Sequence, residues 1–417
     1  MTLYTAFFLL GFLPFSAIVY YAVPRTARYI VLCMINFVFY AFASGEFFWV
    51  LPLLSLVTYA LSFLKPGVGF GIMLILLPLT RLCGISAAGV SFFILRAAAY
   101  LYDGHRERSC IRLCAFLLFF PCVSAGPLTR WEQMQGGFGK LVNYRLMERG
   151  IFLSLFGIVK KLFFSDALYE AFLQFHAGGT SLSAVAALVC YALYIYFDFS
   201  GYSDLAIGIS AVFGFDLPKN FDHPYMSHSV GEFFRRWHIS LGAWLRDYVY
   251  IPLGGSRKGK GRMLLSLGAV WLTSALWHGS ALSYLLWGGW FFCLIAAEKL
   301  FLPKGMRLGH LTTLALVLIG WVFFFSGTPA AALAFFKRLL CLGGTLLYCR
   351  ADLYHCVRLA PFVCLAVFCA TPLLHDTLAS LYRRKKVLLY PLAVAAFVLV
   401  LSCLAVGAHH PFLYASF

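Results

Sequence analysis

The amino-acid sequence predicts an all-α integral membrane protein that crosses the bilayer many times. Of its 417 residues, 62% are hydrophobic and only 12% are charged, whereas about a quarter of a typical soluble domain is charged. Apolar runs recur along the whole chain, at 6–22, 29–43, 47–64, 184–197, 311–325 and 387–408. Because one helical span needs about 20 residues, the chain is predicted to make roughly ten to twelve crossings, with additional interfacial or re-entrant helices.

The chain, residues 1–417, is predicted to form a single integral domain. No internal repeat and no low-complexity linker divides it, which disfavours the inverted-repeat transporter folds. Three stretches differ in character: simple spans at 1–130, most of the polar chemistry at 131–297, and plain spans again at 298–417.

The first apolar run, 6–22, is predicted to stay in the protein as a span. It has no positively charged segment before it and no small-residue cleavage site after it, and Tyr20-Tyr21-Ala22-Val23-Pro24 closes it. A secretory signal peptide would carry both features.

The net charge of +17 is interpreted by its location. Arg25 and Arg28 follow the first run, and the basic cluster 383–386 precedes the last one. Short loops rich in Lys and Arg stay cytoplasmic, so both termini are predicted to be extracytoplasmic and the number of crossings even. Since the basic clusters flank apolar spans, they indicate topology in the cell membrane and favour the lipid bilayer, not nucleic acid, as the partner.

The 13 cysteines do not predict a disulfide framework or a metal site. Several lie inside apolar runs, where cysteine behaves as a small hydrophobic residue. The sequence contains no Cys-x-x-Cys motif and no Cys/His pairing at metal-ligand spacing.

Two carboxylates, Asp198 and Asp204, lie near the end of an apolar span. Their six-residue spacing does not place them well on one helix face, so a paired-carboxylate site is not expected. Gly201 between them is predicted to break the helix, with the carboxylates capping helix ends or bonding the backbone groups that the break leaves free.

Residues 229–250 are predicted to form one amphipathic helix in the membrane interface. Ser229 and Glu232 have the spacing of a capping box, and Pro252 ends the helix. His238 lies on the apolar side, as a structural hydrogen-bonded histidine or as part of a site. The apolar stripe comprises Val230, Phe233, Phe234, Trp237, Leu241, Trp244, Leu245 and Tyr248.

A basic, glycine-rich loop follows at 253–262. The amides and cations of such a loop can bind phosphates, but the spacing is not that of a Walker motif, and cytoplasmic membrane loops are basic in any case. We expect Arg246, Arg257, Lys258 and Lys260 to face the cytoplasm, where an anionic thioester carrier could dock.

His278 is the main candidate for a catalytic residue. It lies in an apolar run, 263–297, that contains no Lys, Arg, Asp or Glu. An ionisable group in such a run marks a functional site by default; the alternative is a neutral imidazole hydrogen-bonded to a neighbouring helix. His278 follows Arg262 by 16 residues. That is about 24 Å along a helix, against a hydrocarbon core of about 30 Å, so we expect it to be within reach of both faces.

Three motifs in this part of the chain resemble the membrane-bound O-acyltransferase family. Within that family the chain is similar to the membrane subunits of bacterial alginate O-acetyltransferases. The similarity extends upstream through 197–208, 217–221 and 157–161. The motifs are Arg235-Arg236-Trp237-His238-Ile239-Ser240-Leu241, Trp244-Leu245-Arg246-Asp247-Tyr248-Val249-Tyr250-Ile251-Pro252-Leu253-Gly254-Gly255 and Leu276-Trp277-His278-Gly279.

The resemblance implies the fold of that family, with a thin, funnelled centre and His278 as the general base. The implied reaction transfers an acyl group, acetyl in this subgroup, from a cytoplasmic thioester to hydroxyls of an exported or cell-surface polysaccharide. The donor would be acetyl-CoA or an acyl carrier protein, with no bound cofactor or metal. An extracytoplasmic esterase-like acetyltransferase is the implied partner, and His238, Trp277 and Asp247 are candidates for supporting the base.

One position departs from the subgroup. Phe291 and Phe292 follow Trp287-Gly288-Gly289-Trp290, where the subgroup commonly has a second histidine followed by glycine. The role of that histidine is therefore absent here or taken by another residue.

A role for a histidine as general base is also expected on chemical grounds alone. An alcohol is a weak nucleophile, and it needs a general base to attack a thioester. Three alternatives stay open at this point. They are D-alanyl transfer to teichoic acids, transport, and a non-catalytic scaffold for polysaccharide export.

Overall fold

The computed structural model describes residues 2–84, 87–123, 126–303, 306–407 and 410–412. The terminal residues Met1 and Phe417, whose side of the membrane was predicted, lie outside the described residues. Every regular element within the described ranges is a helix, so the all-α prediction is confirmed.

Five helices among the described residues are long and apolar enough to cross a membrane: Arg25–Ala43, Ser181–Val212, Leu282–Phe301, Arg350–Ala370 and Lys386–Val406. Shorter apolar helices accompany them, at Phe7–Ala22, Gly45–Leu61, Pro66–Thr80, Val90–Tyr102 and His310–Phe325. The protein is therefore a multi-pass membrane protein, and the number of ten to twelve crossings stays a prediction.

The chain folds into two compact units, each made of separate chain segments. The first unit comprises Met1–Val159, Phe199–Asn220 and Val400–Phe417. A π-helical turn at Phe7–Phe12 begins its helices, which are α1 (Leu13–Ala22), α2 (Arg28–Ala43), α3 (Val50–Leu61), α4 (Pro66–Leu82), α5 (Val90–Tyr102), α6 (Cys110–Leu117), α7 (Phe120–Val123), α8 (Trp131–Gln135) and α9 (Tyr144–Val159).

The second unit comprises Lys160–Asp198 and Phe221–Leu399. The long helix α11 (Ser181–Val212) contributes its first part to this unit and its remainder to the first unit. The other helices are α10 (Asp166–His176), α12 (Val230–Arg236), α13 (Ile239–Leu245), α14 (Lys260–His278), α15 (Leu282–Phe301), α16 (His310–Phe325), α17 (Pro329–Leu339), α18 (Arg350–Ala370), α19 (Pro372–Arg384) and α20 (Leu389–Val406), whose last turns belong to the first unit.

Helix α11 runs unbroken through Gly201, so the predicted break there is wrong. Within the first unit, glycines let α9 approach α11 at backbone distance. A Cβ atom built on Gly157 would lie 2.6 Å from the carbonyl oxygen of Gly201, and one on Gly150 would lie 2.5 Å from that of Gly208. Small residues serve close helix packing in membranes, and a buried helix stays continuous because no water is present to bond a freed backbone group.

A buried ion-pair network lies in the second unit. The Nζ atom of Lys161 is 2.8 Å from Oδ1 of Asp198 and 2.9 Å from Oδ1 of Asp166. The hydroxyl of Ser165 donates to Asp198 at 3.1 Å. Lys161 is only 1% exposed and Asp198 is fully buried. Asp198 therefore lies in the middle of α11 and pairs with Lys161 instead of capping a helix end, contrary to the prediction.

We expect Lys161→Ala to lower the free energy of unfolding by about 3–5 kcal/mol, because it leaves buried carboxylates without this cation. Thermal unfolding of the purified protein in detergent measures the loss. The exposed Lys299→Ala is the matched control and should change little.

Lys161→Met combined with Asp198→Asn should be more stable than Lys161→Ala, since fewer charges are left uncompensated. A Lys161→Ala protein that unfolds at the wild-type temperature would show that the network does not stabilise the fold.

Candidate active site around His278

His278 is the last residue of α14, at the turn into α15. Gly279 follows it, with its amide bonded to the Ala275 carbonyl at 3.2 Å. The two helices pack closely because Gly288 has no side chain: a Cβ there would lie 3.0 Å from the Trp271 carbonyl oxygen. This close helix pair positions the imidazole at the end of α14.

Aromatic rings surround the imidazole of His278, which is only 4% exposed. Its ring centroid lies 4.8 Å from that of Trp277, 5.0 Å from Trp287 and 5.1 Å from Phe324. Tyr284 stacks at 6.2 Å. Such a shell excludes bulk water and favours the neutral imidazole, the form that can accept a proton.

His238 is the second imidazole of the site. It is buried, its ring centroid lies 6.3 Å from that of Trp277, and it is close enough to His278 for their charges to interact. The prediction of one continuous helix over 229–250 is wrong, because the backbone of His238 is left-handed (φ 45°) and separates α12 from α13. A non-glycine residue in this conformation is uncommon and often marks a functional position.

Helix α12 is held in place at its N-terminus. The Ser229 hydroxyl accepts a bond from the Glu232 amide at 3.0 Å, as the sequence predicted, while the Glu232 carboxylate accepts from the amide of His228. The carboxylate of Glu298 on α15 accepts from the amides of Val230 and Gly231 at 2.6 and 2.9 Å. These bonds satisfy amides that have no partner within the helix.

Aromatic contacts fix the apolar face of α12 against α14 and α15. The ring of Phe234 lies 4.7 Å from Trp271 on α14 and 4.7 Å from Phe291 on α15. Since His238 follows α12 by two residues, this packing also sets the position of the second imidazole.

The other predicted site residues lie in different places. Trp277 is in the shell of His278, as described above. Asp247 forms a bidentate ion pair with Arg246, at 2.7 and 3.1 Å. Arg257, Lys258 and Lys260 are exposed at the start of α14, and the 18 residues from Lys260 to His278 correspond to about 27 Å along the helix. The basic loop and the imidazole are thus at opposite ends of α14.

Sequence reasoning did not identify Trp287 and Phe324, which pack on His278. Trp287 Nε1 and Ser283 Oγ are buried polar atoms with no hydrogen-bond partner among the described residues. A buried donor of this kind calls for a functional explanation. The only sequence signal was the general one that Trp, when buried, needs a partner for its N–H group.

Phe291, at the position of the subgroup's second histidine, is fully buried in the same aromatic layer. Its centroid lies 5.6 Å from that of Trp287 and 5.5 Å from that of Trp271. Gly320 on α16 leaves room for it: a Cβ on Gly320 would lie 2.6 Å from Cε2 of Phe291. This position supplies packing to the site and no proton-transfer group.

One group of metal-ligating side chains occurs among the described residues, and it belongs to the first unit. Asp103, His105 and Glu132 offer ligand atoms within 4.8 Å of one another. His105 Nε2 is already 2.6 Å from Glu132 Oε1.

Comparisons with known proteins agree with the motifs. The model of the membrane-bound O-acyltransferase family matches residues 105–336, more than half of the chain. A probable alginate O-acetylase AlgI of Pseudomonas fluorescens is 32% identical over 353 residues, covering 76% of this chain and 71% of that protein. The predicted resemblance is confirmed.

Two further relatives are named for other polymers. A peptidoglycan O-acetyltransferase of Helicobacter pylori is 30% identical, over 61% of this chain and 57% of its own length. A teichoic acid D-alanyltransferase of Bacillus subtilis is 29% identical, over 49% of this chain and 56% of its own length. The chain spans about half the length of other alginate O-acetylases that it matches.

We expect Gly320→Ala to destabilise the protein by about 1–3 kcal/mol, because the added methyl group overlaps the ring of Phe291. Intrinsic helix propensity alone would favour alanine by about 0.5–1 kcal/mol, so the sign of the change tests the packing. Thermal unfolding measures it.

Combining Gly320→Ala with Phe291→Leu should recover part of the loss, whereas Phe291→Leu alone should destabilise. Additive effects of the two substitutions would contradict a direct contact between these positions.

Proposed function

The chain belongs to the membrane-bound O-acyltransferase family and is an O-acyltransferase, and we propose that it transfers an acyl group, in the simplest case acetyl, from a cytoplasmic thioester to hydroxyls of an exported or cell-surface polysaccharide. One observation supports this proposal above the others. A buried histidine, His278, ends a helix in an aromatic shell beside a second imidazole, His238.

In the proposed reaction the neutral imidazole of His278 takes the proton of the acceptor hydroxyl. The oxygen forms a bond to the thioester carbonyl carbon, and the carbonyl oxygen takes up the negative charge. When this intermediate collapses, the carbon–sulfur bond breaks, and the departing thiolate receives the proton held by His278. The products are an ester and a free thiol, and no metal or cofactor is needed.

The buried N–H group of Trp287 and the hydroxyl of Ser283 are available to donate hydrogen bonds to the developing oxyanion. Donors that are already in place cost no reorganisation when the charge develops, and each typically contributes about 10²–10³-fold to the rate. Their lack of partners among the described residues is consistent with this role.

His238 and Trp277 are proposed to keep the imidazole of His278 in position, since Trp277 packs on that imidazole and His238 lies against Trp277. Asp247 is proposed to act less directly, by holding Arg246 through their ion pair. Arg246, Arg257, Lys258 and Lys260 would then attract the anionic donor carrier, acetyl-CoA or an acyl carrier protein, from the cytoplasm. Arg257, Lys258 and Lys260 lie at the end of α14 opposite to His278, which makes them attracting groups and not part of the chemistry.

The three relatives described above are named for alginate, peptidoglycan and teichoic acid. All three names refer to polymers, which supports an exported or cell-surface glycan as acceptor. We propose that the protein lies in the cell membrane with both termini extracytoplasmic, and that an esterase-like acetyltransferase outside the cell completes the transfer. D-alanyl transfer to teichoic acid is the alternative, supported by the Bacillus subtilis relative.

His278→Ala is expected to reduce acylation more than about 10²-fold, because the acceptor hydroxyl loses its general base. The ester content of the surface glycan, in cells carrying only the variant, measures the effect. Membrane insertion and abundance should stay at the wild-type level.

The matched control is His375→Ala, which removes an imidazole whose side chain is 69% exposed. Normal glycan acylation in cells with His278→Ala would refute the assignment of the base.

Lys258→Glu combined with Lys260→Glu should raise the KM for the donor and leave kcat closer to normal, because binding far from the chemistry contributes equally to ground and transition states. The effect should shrink at high salt, since these charges are exposed and screened. If the reaction rate of the variant depends on donor concentration as that of the wild type does, the loop has no role in donor binding and its basic residues only fix the orientation of the chain in the membrane.

A further inference from the structure

A surface cavity of about 690 Å³ lies in the first unit, where the chain enters α9. Two of its lining residues are basic, three have aliphatic or aromatic side chains, and none is acidic. Basic and aromatic residues occur together in this way at the boundary between hydrocarbon and lipid headgroups, where they anchor membrane proteins. The lining residues are Lys140, Leu141, Val142, Asn143, Tyr144 and Arg145.

Two contacts with the beginning of a membrane span place this cavity at the level of the headgroups. The guanidinium of Arg28 donates to the carbonyl oxygen of Lys140 at 2.9 Å. A Cβ atom built on Gly139 would lie 3.3 Å from the carbonyl oxygen of Arg25. The candidate span Arg25–Ala43 has 19 residues, or about 28 Å of helix, against a hydrocarbon core of about 30 Å. The beginning of this span, and the cavity beside it, therefore lie at the membrane boundary.

Lys140 and Arg145 give the cavity a net charge of +2 that no acidic residue in its wall offsets. Both side chains are exposed, and neither makes a hydrogen bond or ion pair with the described part of the chain. Arg28 is buried instead, 5.5 and 4.9 Å from the ring centroids of Tyr20 and Tyr21. Arg28 thus fixes the position of the segment, and the two exposed cations are available to an anion.

The beginning of α9 adds to this positive charge. The helix has 16 residues and starts at Tyr144, inside the wall of the cavity. Asn143 precedes it, and the side-chain oxygen of Asn143 accepts a bond from the amide of Leu146 at 3.1 Å. The first turn of a helix carries a partial positive charge, so it favours an anion at the same place as the two cations.

Large apolar surfaces are exposed beside these charges. Leu141 is 66% exposed and Tyr144 is 77% exposed. At the membrane boundary a leucine can contact acyl chains, and a tyrosine ring can lie among the headgroups with its hydroxyl in water. A water-soluble phosphate compound has no acyl chains to cover these side chains. Their exposure therefore favours a lipid over a soluble anion.

We propose that the segment 140–145 binds an anionic phospholipid. The cations of Lys140 and Arg145 pair with the phosphate of the headgroup. The side chains of Leu141 and Tyr144 lie along the glycerol and acyl region of the same lipid. This inference goes beyond the proposed function, because it concerns how the first unit is held in the bilayer and not the transfer of an acyl group. Each basic residue near the membrane surface contributes about fivefold to the affinity for anionic lipid.

The test is native mass spectrometry of the purified full-length protein in detergent, which counts the lipid molecules bound. The probes are phosphatidylglycerol, which has one negative charge, and zwitterionic phosphatidylcholine. The wild type should bind its first phosphatidylglycerol at least fivefold more tightly than phosphatidylcholine. Lys140→Gln combined with Arg145→Gln should weaken that site about tenfold or more. The double variant then carries one phosphatidylglycerol fewer at the concentration that fills the wild-type site, and its binding of phosphatidylcholine is unchanged.

The charge-matched control is Lys337→Gln combined with Arg350→Gln, two exposed basic residues of the second unit. It removes the same charge and should leave phosphatidylglycerol binding unchanged. Leu141→Ser combined with Tyr144→Ser should weaken phosphatidylglycerol binding several-fold although both cations remain, because apolar contact is lost. Each substituted side chain is exposed, so the unfolding temperature without added lipid should equal that of the wild type for every variant.

The assignment is overturned if the wild type binds phosphatidylglycerol no more tightly than phosphatidylcholine. It is also overturned if the variant of Lys140 and Arg145 keeps the wild-type number of bound phosphatidylglycerol molecules. An equal loss in the charge-matched control would refute it as well, because the effect would then come from net charge alone. Displacement of the lipid by inorganic phosphate or glycerol 3-phosphate at equal concentration would show that the cavity binds soluble anions instead.

Discussion

A polar group inside hydrocarbon has no water to bond to, and this constraint governs how the polypeptide can bend. Helix α11 passes straight through Gly201, although glycine is a poor helix former, because a break there would leave backbone groups unsatisfied. Chain breaks do occur where protein surrounds them. His238 adopts a left-handed conformation between two short helices, and Gly279 ends α14. Both breaks lie beside the imidazoles of the candidate site. The two interruptions of the helices therefore coincide with the two histidines that are candidates for catalysis.

The same constraint determines where charged side chains can lie in this protein. Lys161 is buried only because Asp198 and Asp166 lie 2.8 and 2.9 Å from its Nζ atom. His278 lies in an aromatic shell instead, and an imidazole can remain there because it has a neutral form. The exposed cations Lys140 and Arg145 border a cavity beside the start of a span, where they can meet an anionic headgroup. Each ionisable group thus has the surroundings that its own chemistry requires.

Phe291 lies where the resemblance led us to expect a second histidine, and it contributes packing to the site. A phenyl ring at this position fills the space above Gly320 and packs against Trp287, so the layer around His278 stays closed. His238, on a different part of the chain, brings a second imidazole to the site. Proton transfer by a single base needs one histidine only, and the second can serve to orient the first.

The sequence by itself determined the helical class, the membrane environment, the family and the isolated histidine in its apolar run. These follow from composition, from residue periodicity and from contiguous motifs, each of which is local along the chain. Tertiary structure alone decided the partners of Lys161, the closeness of His238 to His278, the shell formed by Trp287 and Phe324, and the contact of Arg28 with the segment before α9. Periodicity assigns a residue to one face of its own helix, but it does not say which other helix that face will meet. That choice depends on how side-chain shapes and glycine gaps fit together in three dimensions, and it is made only when the helices pack.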